Sequence, residues 1–99
     1  MHAHFIDRTR LVISGEVKTL DNYTEIRNLI QDFIASGEKV LVVEVIDSMM
    51  ITSAIIGYFT KIIHLDGIRM TMIVHNQRLY ELLQDLNLIK MFNVKKEIF

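Results

Sequence analysis

The chain of 99 residues contains no cysteine and no proline, and only four glycines, all of them isolated. Without cysteine there is no disulfide, no thiol nucleophile and no thiolate metal site, which fits a reducing cytoplasm. Isolated glycines exclude a glycine-rich phosphate loop, and no serine is framed by the glycines of a nucleophile elbow. An excess of one charge is missing too: eleven basic and twelve acidic side chains, spread along the chain, leave a net charge of −1. That balance provides no electrostatic footprint for nucleic acid. The longest apolar runs, such as Val40-Leu41-Val42-Val43, are far too short to span a bilayer. Met1-His2-Ala3-His4-Phe5 lacks the charged start and apolar stretch of a signal peptide. These absences predict a soluble cytoplasmic protein with no direct membrane insertion. Any chemistry it has must rest on Ser, Thr, His and carboxylates.

What is present is apolar material, 51% of the residues, enough for one core without a covalent staple. No repeat, low-complexity stretch or linker interrupts it, so residues 1–99 read as a single domain. Arg10-Leu11-Val12-Ile13-Ser14, closed by Gly15, is predicted as a strand, with His4-Phe5-Ile6 as its hairpin partner. From Asp21 or Asn22, the residues Tyr23, Ile26, Ile30, Phe33 and Ile34 recur at helical spacing, and Gly37 provides a left-handed stop. Val40 to Val45 is apolar but for Glu44, the pattern of a central strand covered on both faces. A second helix is predicted from Thr52 or Ser53, with Ile55, Ile56, Phe59, Ile62 and Ile63 buried and Gly67 at its end. Ile68 to Val74 reads as a strand. Asn76 can cap a third helix with the stripe Leu79, Leu82, Leu83 and Leu86, and Asn87 can stop it. Val94 to Phe99 reads as a short edge strand. Strands alternating with helices imply parallel crossovers, so the expected fold class is α/β, with a mixed sheet of four to five strands and about three helices.

The order hairpin, helix, buried strand, loop, helix, strand, helix, strand resembles the STAS family, the domain of bacterial anti-sigma-factor antagonists, over nearly the whole chain. Leu11-Val12-Ile13-Ser14-Gly15-Glu16-Val17 is similar to the family's early strand and Gly-Glu turn, and Leu41-Val42-Val43-Glu44-Val45 to its buried strand. Ile51-Thr52-Ser53-Ala54-Ile55-Ile56-Gly57 falls where the family reads apolar-Asp-Ser-Ser-Gly-Leu-Gly. Downstream, Asp66-Gly67 precedes a strand, and the run from Leu83 to Phe92 resembles the leucine-rich helix and ending seen there. The resemblance implies a non-enzymatic switch without cofactor. The second serine of the motif accepts phosphate from a kinase that is also the anti-sigma factor, and the unphosphorylated form binds that partner. A phosphate at a helix N-terminus is tolerated by the domain, while the added charge penalises docking.

At the decisive positions the chain departs from that pattern. Thr52 stands for the aspartate, Ser53 for the first serine, Ala54 for the phosphoacceptor and Ile55 for the glycine. Three readings stay open. Ser53 or Thr52 accepts the phosphate instead; the domain is a permanently unphosphorylated binder; or the hydroxyls serve only as a helix cap, which is worth on the order of 1 kcal/mol without any function. Met49 and Met50 are equally open to two readings, core filling or an adaptable partner contact. With Tyr58 and Lys61 on the expected outer side of the second helix, they border Thr52, Ser53, Ala54 and Gly57. The resemblance adds Glu16 and Lys18 as flanking residues.

Other candidates carry less. His2 and His4 share a strand face as a metal pair does, but no third ligand lies nearby in sequence, and no metal site is predicted. His64 and His75 read as structural histidines. Ser48, His75 and Asp47 compose a triad on paper, with nothing to fix its geometry. The expectation is thus a STAS-like regulator docking an anti-sigma factor or kinase-like protein. The alternative is an accessory or scaffold module of a stress-signalling assembly or a membrane transporter. Many family members carry a further C-terminal helix that this chain is expected to lack, and an uncovered face would then favour a partner or a homodimer.

Overall fold

Eight elements follow one another within residues 1–97, the part of the chain that the computed structural model describes. They are β1 (His2–Phe5), β2 (Arg10–Ser14), α1 (Leu20–Ala35), β3 (Val40–Val45), α2 (Ser53–Leu65), β4 (Arg69–Val74), α3 (Gln77–Asp85) and β5 (Val94–Lys96). β1 and β2 form an antiparallel hairpin, and β2 to β5 are parallel neighbours, so the spatial order equals the chain order. The fold is α/β with a five-stranded mixed sheet and three helices, as expected.

Sequential strand order has a consequence for layering. Each parallel step crosses over through one helix, and steps of one hand taken in one direction stack their helices on one side of the sheet. A single apolar cluster accordingly joins Leu11, Ile13, Leu41, Val43, Val45, Met70, Met72 and Val74 to residues of all three helices, among them Ile26, Phe33, Ile55, Ile62, Leu79 and Leu83. The opposite face bears no helix among the described residues. It carries His2, His4, Arg10, Val12, Val42, Glu44 and Thr71, which alternate with the core residues. β3 is central, but the expectation that it is covered on both faces fails. Leu41, Val43 and Val45 are buried, Val42 and Glu44 half-buried, and Val40 exposed.

Helix ends follow local chemistry. Thr19, not Asp21 or Asn22, caps α1: its hydroxyl accepts from the Asn22 N–H, and the Asn22 side chain accepts in return from the Thr19 N–H at 3.2 Å. Thr52 caps α2, and Asn76 caps α3 by accepting from the N–H groups of Arg78 and Leu79. Gly37, Gly67 and Asn87 adopt the left-handed conformation at the expected stops. Leu86 departs from its predicted stripe, because α3 ends at Asp85 and leaves it exposed. The terminal strand is an edge strand of three residues; Ile98 and Phe99, included in the expectation, lie outside the described residues.

Candidate functional site

The loop joining β3 to α2, residues 46–52, leaves the sheet at the C-terminal ends of the parallel strands, where α/β folds gather their functional loops. Three consecutive contacts clip it to the turn after β2. The Gly15 N–H donates to Asp47 Oδ1 at 2.6 Å. The Val17 N–H donates to Ser48 Oγ at 3.1 Å, and that hydroxyl donates to the Met50 carbonyl at 2.6 Å. The Glu16 carboxylate accepts from the Met49 N–H at 3.2 Å and lies 3.2 Å from Ser48 Oγ. Among the described residues Ser48 is the buried polar one, and Ile51, also buried, anchors the far end of the loop. The turn needs its glycine: Gly15 has φ +81°, and a Cβ there would lie 3.0 Å from the Met1 Cα.

A clipped backbone presents its outward side chains rigidly. Met49 and Met50 remain 47% and 42% exposed. Thr52 is half-buried and spends its hydroxyl on the Ile55 N–H at 3.3 Å. Ser53 and Ala54, the first two residues of α2, are exposed, as are Gly57 and Lys61 further along the helix. Helical spacing sets Ser53, Gly57 and Lys61 in one row beyond the methionines. The first turn of α2 carries no acidic residue, so the positive end of its dipole is uncompensated. Lys18 is exposed beyond the clipped turn.

One site residue takes another place than expected. Tyr58 is buried against α1 rather than on the outer side of α2. Its hydroxyl accepts from Gln31 Nε2 at 2.5 Å, and its ring meets Tyr23 edge-on at 6.3 Å. One step along a helix from Gly57 turns the side chain by about 100°, which carries Tyr58 from the outer row into the helix interface. Burial raises its pKa above the usual 10, partly countered by the Gln31 hydrogen bond. Glu16, at the flank of the loop, is half-buried, and its carboxylate serves the loop clip.

The paper triad does not assemble, since Ser48 faces Glu16 and Met50, Asp47 faces Gly15, and His75 faces Glu44. The last contact belongs to a second polar cluster on the helix-free face. Glu44 accepts from an Arg10 guanidinium nitrogen at 2.9 Å through Oε1, and its Oε2 lies 2.7 Å from His75 Nε2. Partial burial pushes the Glu44 pKa up, but the hydrogen bonds and charges of His75 and Arg10 outweigh it and hold the group below the ordinary carboxylate value. Glu97 brings a further carboxylate, and one ligand atom from each of Glu44, His75 and Glu97 lies within 4.8 Å of the others. Sequence marked Glu44 as the one acid in an apolar strand, but its partners stand more than thirty positions away.

At the opposite end of the sheet, Phe5 stacks on Phe33 with centroids 5.5 Å apart, beside a cleft of about 360 Å³ rimmed by Asp7, Arg8, Asp32 and Glu38. It shares no residue with the loop. No described helix is long and apolar enough to cross a membrane. Compared with protein-family models, curated proteins and solved structures, the chain finds no match in any of the three.

Proposed function

We propose that the chain is a non-enzymatic regulatory domain of the anti-sigma-factor-antagonist type, acting in the cytoplasm by docking an anti-sigma factor or kinase-like protein. The docking surface runs from Met49 and Met50 through Ser53 and Ala54 to Gly57 and Lys61, with Lys18 at its margin. The observation that carries this reading is the pair of exposed methionines on a loop clipped by Asp47, Ser48 and Glu16. Exposed apolar side chains on a preorganised backbone bind with little ordering cost, and thioether side chains adapt to a partner. The resemblance of residues 51–57 to the antagonist motif supports the choice of partner.

Ala54 removes the hydroxyl on which the resembled switch depends. Of the two remaining hydroxyls Thr52 already serves as helix cap, while Ser53 is exposed at an acid-free helix start, so Ser53 is the better phosphoacceptor. The default state is the unphosphorylated binder. Ala54→Asp tests the surface: capture of the anti-sigma factor from the native cells should fall at least tenfold, about 1.4 kcal/mol, with the thermal midpoint nearly unchanged. Capture equal to wild type moves the interface elsewhere. Mass spectrometry of the same preparations reads whether Ser53 carries phosphate.

A second reading, an accessory or scaffold module of a stress-signalling assembly or transporter, draws on the helix-free sheet face. There Val40 is 49% exposed and Val12 and Val42 are half-buried, an apolar patch available to a further subunit or a second copy. Co-purification with transporter subunits alone would favour it.

A further inference from the structure

We propose that Glu44, His75 and Glu97 bind one divalent transition-metal ion, with Zn²⁺ the best fit, at the C-terminal end of the sheet. The site is independent of the docking surface, which lies on the helix side of the same end.

The register places the three side chains together. Glu44 of β3 pairs with Ile73 of β4, and Ile73 with Lys95 of β5. His75 and Glu97 follow Ile73 and Lys95 by two positions, and residues two apart along extended chain share a face. The backbone supports this continuation: the His75 N–H donates to the Val45 carbonyl, and the Glu97 N–H to the Val74 carbonyl at 2.9 Å. β3 and the residues that directly follow β4 and β5 thus each deliver one ligand to the helix-free face.

The donor set is an imidazole with two carboxylates. Zn²⁺ takes such ligands at about 2.0–2.2 Å, which puts donor atoms roughly 3–3.5 Å apart around a tetrahedral ion. The donors here lie within 4.8 Å of one another, and His75 Nε2 stands 2.7 Å from Glu44 Oε2. Side-chain adjustments on the order of 1 Å convert that arrangement into a coordination shell. An imidazole nitrogen favours a transition metal over Mg²⁺ or Ca²⁺, which prefer oxygen alone. Arg10 holds Oε1, orienting the carboxylate so that Oε2 faces the ion, as outer-shell partners of metal ligands do. Exposed Glu97 leaves the ion an entry path and a solvent-facing fourth position.

A rival on the same face is the pair His2 and His4, whose rings lie 5.1 Å apart. The experiment separates the two. Untagged, chelator-stripped protein is titrated with ZnCl₂ by calorimetry and with CoCl₂ by visible absorption. One equivalent of Zn²⁺ should bind, and free Zn²⁺ at a hundredfold excess over Kd should raise the thermal midpoint by roughly 10–20 °C. Glu97→Gln, at an exposed position that leaves the fold intact, should weaken Zn²⁺ at least about tenfold and remove the Co²⁺ band. His75→Ala should do the same. The double variant His2→Ala, His4→Ala should bind as wild type does. Absence of saturation at millimolar Zn²⁺, wild-type affinity in Glu97→Gln, or loss of binding in the double variant would overturn the site and leave Arg10, Glu44 and His75 as a structural ion cluster only.

Discussion

Ser48 shows how much one small side chain can organise. Its hydroxyl accepts from the Val17 N–H and donates to the Met50 carbonyl, so two loops from different crossovers meet on one oxygen. Ser48→Ala leaves a buried N–H without acceptor and should destabilise the protein by about 1–3 kcal/mol, read from the urea midpoint at unchanged slope. Nothing near Ser48 in sequence announces this role, because its donor Val17 lies 31 residues away. Glu16 and Tyr58 teach the same lesson. Both were legible as residues close to the proposed docking surface, yet which way each points depended on neighbours that only folding supplies: the Met49 N–H for Glu16, Gln31 for Tyr58. Thr52 was legible as a cap, since capping is local.

Among the elements, β3 concentrates the tension between local pattern and tertiary place. Its alternation buries Leu41, Val43 and Val45 against the helices and turns Val42 and Glu44 to a face that no described helix covers. The run looked covered on both sides because half-buried valines are as apolar in sequence as buried ones. Glu44 makes a pH prediction. Its folded pKa lies below the ordinary 4.5, so its contribution to stability is complete above that value and is lost as pH falls through the folded pKa. In chelator-containing buffer, the thermal midpoint of wild type should therefore drop more steeply below about pH 5 than that of Glu44→Gln. Parallel curves would mean that Arg10 and His75 contribute nothing to the carboxylate's ionisation. The helices behaved more simply: their starts at Thr52 and Asn76 and their stops at Gly37, Gly67 and Asn87 rest on neighbours within a few residues, and were readable for that reason.

At the scale of the molecule, one apolar layer between a sheet and three helices predicts that the protein unfolds as a single cooperative unit. A Cα radius of gyration of 12.2 Å agrees with the ~13 Å expected of a compact domain near this length. Phe92, fully buried after α3, meets Phe59 of α2 edge-on at 5.8 Å and ties the last crossover to the middle one. Phe92→Ala should cost about 3–5 kcal/mol, a large share of the 5–15 kcal/mol typical of a domain, and should lower the far-UV and tyrosine transitions together. Separate transitions would show that the C-terminal part unfolds alone. The sequence by itself determined the class, the strand and helix succession and most helix ends, since periodicity and capping act over a few residues. Tertiary structure decided the rest. Strand order put the described helices on one face of the sheet, the clip between residues 15–17 and 47–50 set which side chains the loop presents, and parallel register gathered Glu44, His75 and Glu97. Each of these depends on contacts between residues tens of positions apart, and no local pattern encodes such a contact.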